Sequence, residues 1–378
     1  MSTTAYPREA ESEPAPTRLG RLAPGLAAPH KLADALEAGQ RRRRLVTAAL
    51  VVLLLGGLVL SLTVGAVQVP LRTLGQILWD ALPFVGSEAQ ASVREEAVIL
   101  QIRMPRFLLA LFVGAGLSLS GALMQGLFRN PLADPTLIGV SSGAALGAAT
   151  GIVLGSQLAI LSGWSIGAGA FAMGLIVAVI VYRIATRHGR TSVESMLLAG
   201  IAVNALCAAL LGVLVLFADD GQLRDLTFWT LGALGGATWT TLIGPMLTVV
   251  GLLALITKLA PALNAMALGE AEAAHLGIHT QRVKYVVIGL AALTVAAGTA
   301  VSGLIGFVGL VGPHIVRLMV GPNHRYLLPL SALAGACLLL YADVLARTAL
   351  APSEIPIGIV TALIGAPFFL WLLLQRQR

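Results

Sequence analysis

The stretch Ser120–Ala144, SGALMQGLFRNPLADPTLIGVSSGA, decides how this chain is read. It lies between two long apolar segments, yet it holds Arg129, Asn130, Asp134, Pro131 and Pro135 among small residues. In a lipid-facing helix each such break would leave backbone N–H and C=O groups unpaired in hydrocarbon, which is prohibitive. Broken, polar backbone at membrane depth persists only against other protein or beside water, as along transport pathways. The stretch therefore predicts a transporter.

Outward from it, the composition agrees. Of 378 residues, 57% are hydrophobic and only 11% charged, and the mean hydropathy is +0.87. A soluble domain carries roughly 25% charged residues, so a polytopic membrane protein is implied. The 42 glycines suit helices whose backbones approach closely. Cys207 and Cys337 sit inside apolar segments and form no disulfide framework or metal-binding pattern. The net charge of +7 does not point to nucleic acid, because the basic residues lie between apolar segments.

Residues 1–44 read as a mostly disordered cytoplasmic tail rich in Pro, Ala and Glu, with a short amphipathic turn at Leu32–Leu36. Arg41–Arg44 precede the first apolar run, which is too long for a signal-peptide core and has no clear cleavage pattern after it. Ten spans then follow, at about 45–67, 105–127, 136–155, 166–185, 194–217, 238–260, 284–301, 304–320, 327–346 and 356–374. Segments 68–104 and 218–237 are too interrupted to cross. With both termini cytoplasmic, fifteen basic residues after residue 40 fall on the cytoplasmic side and six opposite. Nine or eleven spans would scramble that bias. Residues 45–378 form one transmembrane domain with halves at 45–217 and 238–378. Five spans in each half make the halves inverted relative to one another. A weak repeat at an offset of 182 supports this: Gly116, Ser120, Gly121, Pro131 and Gly139 against Gly298, Ser302, Gly303, Pro313 and Gly321.

No phosphate-binding loop, nucleophile constellation or ionisable relay deep in the spans is present in the sequence. Asp343, the nearest candidate for a relay, lies near a span end beside Arg347. Any pumping must draw its energy from another subunit. The longest cytoplasmic segment, 261–282, contains ALGEAEAAHLGI: a short helix, a break at Gly277 and a second element. Leu268, Ala271 and Ala274 can share one face, which makes a docking knob for a soluble partner.

At this point the chain resembles a known family. IRMPR (102–106), the opening stretch, LRDLTFWTLGAL (223–234), ALGEAEAAHLGI (267–278), and the long segments 303–336 and 354–373 are similar, in order, to the FecCD permeases of type II ABC importers. The resemblance covers about residues 45–375. It implies an all-α permease acting as a homodimer, with two ATP-binding cassette subunits that use ATP and Mg and a periplasmic binding protein. The permease itself would be neither an enzyme nor covalently bound to a cofactor. It implies ATPase coupling through Leu268, Gly269, Glu270, Leu276, Gly277 and Ile278. Arg103, Arg106 and Arg347 would pair with carboxylates of the binding protein at the outer face. Asn130 and Leu132 match the family's cytoplasmic gate, Thr191 and Ser192 lie near its other gate segment, and the fifth span with Asn204 and Cys207 would line the pathway.

Cargo is less legible. A mostly apolar fifth span suits a bulky, partly hydrophobic ligand, but it also suits helix packing. None of the histidines is placed as a haem ligand. Segment 195–224 is most similar to the haem permeases, so haem is the expected substrate, with a ferric siderophore as the alternative. The expected location is a bacterial inner membrane, among lipid. An ion-driven secondary transporter is the competing class, and a membrane enzyme has little support.

Overall fold

The computed structural model describes residues 29–65, 69–80, 92–155 and 166–376. The expected disorder of residues 1–28 and the assignment of Arg378 to the cytoplasmic side fall outside the described residues. The chain divides into two units, Met1–Arg42 and Arg43–Arg378. In the first, the described residues from Pro29 onward are helical. Helix there runs well beyond the short turn expected at Leu32–Leu36, since 29–44 is rich in Leu, Ala, Glu and Arg, all good helix formers.

The element order is α1 (Pro29–Thr63), α2 (Leu71–Asp80), α3 (Val93–Ala97), a π turn (Val98–Arg103) and α4 (Met104–Phe128). A 3-10 turn (Pro135–Ile138) leads to α5 (Val140–Leu154), α6 (Ile166–Ala185) and a two-residue hairpin, β1 (Thr186–Arg187) with β2 (Arg190–Thr191). Then come α7 (Val193–Leu216), α8 (Asp220–Leu231), α9 (Trp239–Leu268), α10 (Glu270–His275), α11 (Thr280–Ser302), α12 (Val308–Val320), α13 (His324–Thr348) and α14 (Ile357–Arg376). Among the described residues, seven helices are long and apolar enough to span a bilayer, and α5, α12 and α14 are shorter apolar helices at the remaining expected spans. The protein is an all-α polytopic membrane protein.

Two boundaries differ most from the sequence reading. Helix begins at Val93 rather than near 105, because Ser92 and Glu95 form a capping box and the π turn carries the helix on into α4. Pro261 does not end α9, which runs through it to Leu268. Leu268 is therefore the last residue of a spanning helix and not part of the six-residue α10. The 182-residue offset also lacks a local counterpart: Ser120 and Gly121 lie inside α4, whereas Ser302 ends α11 and Gly303 breaks it.

Helix α4 is the axle of the bundle. It packs against α9, α11, α12 and α13, and most of its side chains are buried. A helix that is apolar all round belongs in such a core. Close backbone approach makes this packing possible: a Cβ on Gly121 would overlap the carbonyl of Gly309, and one on Gly335 would overlap that of Gly114. At the other extreme, α7 packs against α5, α6 and the 3-10 turn but leaves Leu198, Ile201, Leu206, Val213 and Leu216 exposed.

Candidate functional site

Two polar clusters, one at each end of the bundle, hold most of the expected site residues. The first is built on IRMPR. Arg103 and Arg106 are three residues apart at the start of α4 and so share a face; Asp343 and Arg347 are four apart on α13. The structure puts these four together and adds Glu354 from the α13–α14 connection. Arg106 Nε donates to Asp343 Oδ1 at 3.0 Å. Its Nη2 donates to Asp343 Oδ1 and Glu354 Oε2, each at 2.9 Å, and Nη1 to Glu354 Oε1 at 2.9 Å. The guanidinium fork is used against two carboxylates, a geometry lysine does not offer.

Arg103 and Arg347 act on α1 instead. Arg103 Nη1 donates to the carbonyls of Leu62 at 2.6 Å and Thr63 at 3.1 Å. Arg347 Nη2 donates to Ser61 O at 2.7 Å, and its Nε lies 3.6 Å from Asp343 Oδ2. Both guanidiniums thus satisfy carbonyls at the C-terminus of α1, where the helix dipole favours a cation. These three arginines were expected to be exposed. They are 5%, 9% and 8% exposed, because the chain's own carboxylates and carbonyls enclose them. Glu354 alone stands half in solvent, its side chain 49% exposed. The Arg106 hydrogen bonds hold its carboxyl below the usual carboxylate range. Asp343 is fully buried, its carboxylate held by Arg106.

The second cluster lies where α4, α7, α10 and α11 begin or end. Helix α4 stops at Arg129, whose φ of 51° is left-handed. Asn130 Oδ1 then accepts from Leu132 N at 2.9 Å, closing the NPLADP turn. Asp134 caps the following 3-10 turn by accepting from Thr136 N at 2.8 Å. Burial pushes the Asp134 carboxyl up, opposed by that hydrogen bond. The turn abuts both α12 and α7: a Cβ on Gly309 would come 3.2 Å from Asp134 Oδ2, and one on Gly200 would overlap the Leu137 carbonyl.

Beside the turn is a cavity of about 430 Å³ whose lining includes Arg129, Thr191, Ser192, Glu270 and Lys284. It brings the expected gate segment and the expected coupling segment to one place. Asn130 and Leu132 are exposed next to it. Ser192 caps α7 by accepting from Ser195 N, and Thr191 is buried at 3% exposure.

Helix α10 is held between two glycines. Gly269 has φ 138° and Gly277 φ 82°, and a Cβ on Gly269 would overlap the Glu272 carboxylate. Ile278 N bonds back to Ala273 O at 3.0 Å, closing the end of the helix in the manner of a left-handed cap. Leu268 and Leu276 project outward at 69% and 65% exposure, while Ile278 packs against the core.

Asn204 and Cys207 do not lie on the open face of α7. Cys207 is 4% exposed, and Asn204 Oδ1 is buried facing Gly139. Beyond the exposed Glu194 and Ser195 of the first turn, the open face is apolar, and Asn204 and Cys207 are turned inward. Sequence reasoning also missed Glu354, Lys284 and Gln281. The Asp343–Arg347 spacing within an apolar span was a usable signal. Lys284 and Glu270 carried none, since a glycine break separates them.

Known proteins resemble the chain over nearly its whole length. Residues 52–375 match the model of the FecCD transport family. The chain belongs to the FecCD transport family. It is 48% identical over 279 residues to the hemin transport system permease protein HmuU of Yersinia pestis, covering 74% of this chain and 83% of that one. It is 42% identical over 320 residues to the cobalamin import system permease protein BtuC of Halobacterium salinarum, covering 84% and 85%. Among solved structures, one described as an inward-facing conformation of a metal-chelate type ABC transporter superposes with a TM-score of 0.75 at 34% identity. It covers 88% of this chain and 99% of its own. The coarse assignment follows: an ABC importer permease of this family, which is not itself the ATP-hydrolysing subunit.

Proposed function

We propose that this chain is the permease subunit of an ATP-driven haem importer in a bacterial inner membrane, with both termini cytoplasmic. It works as a homodimer, with two ATP-binding cassette subunits and a periplasmic haem-binding protein. The observation that carries the importer reading is the cytoplasmic cluster: a glycine-bounded helix with two exposed leucines, adjoining the residues expected to gate the pathway. Helix α10 and its flanks, Leu268 to Ile278, seat the ATPase, and the exposed apolar face of α7 meets its symmetry mate along the pathway. The apolar face suits a cargo that is bulky and partly hydrophobic. The 48% identity to a hemin permease supports haem. Cobalamin is the second reading, because permeases for it reach 45% identity over 287 residues.

The outer cluster is the place for the binding protein. Three guanidiniums against two carboxylates leave one net positive charge there, with half-exposed Glu354 at the rim. Such a surface steers an acidic partner rather than supplying most of its affinity. The test titrates the cognate binding protein with haem and with cobalamin, and then measures docking of the loaded protein to the permease. Haem binding followed by docking agrees with the proposal; binding of cobalamin alone transfers the reading to that cargo.

A further inference from the structure

We infer that Lys284 is the positioning residue that ties the ATPase-docking helix to the gate segment ahead of α7; this rests on the docking role proposed for α10. Lys284 lies on the second turn of α11 and is 3% exposed. Its Nζ lies 2.7 Å from Glu270 Oε1 and donates at 2.8 Å to Glu270 Oε2 and at 2.8 Å to the Thr191 carbonyl. The ammonium thus donates to both the Glu270 carboxylate and the Thr191 carbonyl at once, as a group with three protons can.

One helical turn earlier on the same face, Gln281 Oε1 accepts from Thr191 N at 2.9 Å. The peptide groups on both sides of Thr191 are therefore gripped by α11, at the residue directly before the cap of α7. Glu270, which shares the ammonium, is the first residue of α10. A shift of α10 along the membrane normal would either carry the Lys284 head with it or break the ion pair. In the first case the Thr191 carbonyl follows or loses its donor; in the second it keeps the donor but is cut off from α10.

The compact head matters. Lys284 is buried, whereas Glu270 keeps a side chain 39% exposed, so loss of the lysine leaves a carboxylate that water can still reach. Lys284→Met is accordingly expected to fold and to assemble. What it removes is the link.

The experiment is hydrogen–deuterium exchange on the full complex with its ATP-binding subunits, with and without ATP and vanadate, and it needs no knowledge of the cargo. In the unmodified complex, exchange at 186–195 should change on nucleotide trapping. In Lys284→Met that change should be lost, while α10 stays protected by the docked ATPase to the same degree. An equal change in both proteins, or none in the unmodified complex, overturns the inference. Should Lys284→Met fail to assemble, Lys284→Gln gives the same reading with a neutral polar side chain. Failure of the docking reading looks different: α10 would gain no protection from the ATPase even in the unmodified complex.

Discussion

Arg106→Met is the perturbation that bears most heavily on the outer cluster. Arg106 directs its donors to Asp343 and Glu354. Asp343 is 0% exposed. With Arg106 gone, its remaining cation is Arg347 at 3.6 Å, beyond good hydrogen-bond range. Summing the lost charge-assisted hydrogen bonds at about 1.5–3 kcal/mol each would overstate the cost, because the native pair already carries a desolvation penalty. The relevant scale is breaking a buried pair by removing one partner, about 3–5 kcal/mol. Arg103→Met removes two carbonyl contacts at the end of α1 and leaves Asp343 bonded to Arg106, so a smaller loss than for Arg106→Met is expected. Arg106→Met/Asp343→Leu removes both charges and should recover most of the stability, since apolar replacement of a buried pair is often neutral. Thermal unfolding in detergent, followed by fluorescence-detected size exclusion, ranks the three. The order Arg106→Met worst, Arg103→Met intermediate and the double variant near wild type is expected. A double variant as unstable as Arg106→Met, or Arg103→Met as costly as Arg106→Met, would refute the reasoning.

Other outcomes follow from the same geometry. Because the Glu354 carboxyl is held below its ordinary value of about 4.3, its contribution to stability is fully present above that pH and is lost as pH falls through the folded value. Melting curves of wild type and Glu354→Gln should therefore differ near neutrality and converge in acid. The same variant makes the outer cluster more positive and should speed association of an acidic binding protein, most clearly at low salt, in stopped-flow measurements. Gly121→Ala must push against the Gly309 carbonyl and should cost about 1–3 kcal/mol. Gly251→Ala, in open space on α9, should instead gain about 0.5–1 kcal/mol in the same assay. Gly269→Ala, at φ 138° and ψ 152° where essentially only glycine sits, should reduce co-purification of the ATPase subunits more than Gly277→Ala, at the milder φ of 82°.

Hydrophobic runs made most of the bundle legible in advance. The helix Ile166–Ala185 coincides with the expected span, and Val193–Leu216 lies within a residue of its own. Where apolar character did not track helix, the reading slipped. Residues 29–44 and 93–97 are helical but polar, and α9 passes through Pro261 because the proline sits in a helix long enough to absorb one missing N–H. The clusters were less legible for a different reason. Arg106 meets carboxylates 237 and 248 residues away in the chain, and no local period encodes such a contact. A resemblance can place Arg103, Arg106 and Arg347 at the outer end, but only coordinates show that they face inward. Asn204 and Cys207 illustrate the converse: the resemblance puts their helix on the pathway, whereas Cys207 is buried, Asn204 Oδ1 faces Gly139, and leucines stand on the open face of α7.

The central claim is tested most directly by uptake into proteoliposomes that contain the permease, its ATP-binding subunits and ATP inside, with the loaded binding protein outside. Haem should accumulate with the active ATPase and fail to accumulate when that subunit is catalytically dead. Uptake that persists with the dead ATPase would contradict the ATP-driven account. Uptake of cobalamin or a ferric siderophore but not haem would contradict the assigned cargo.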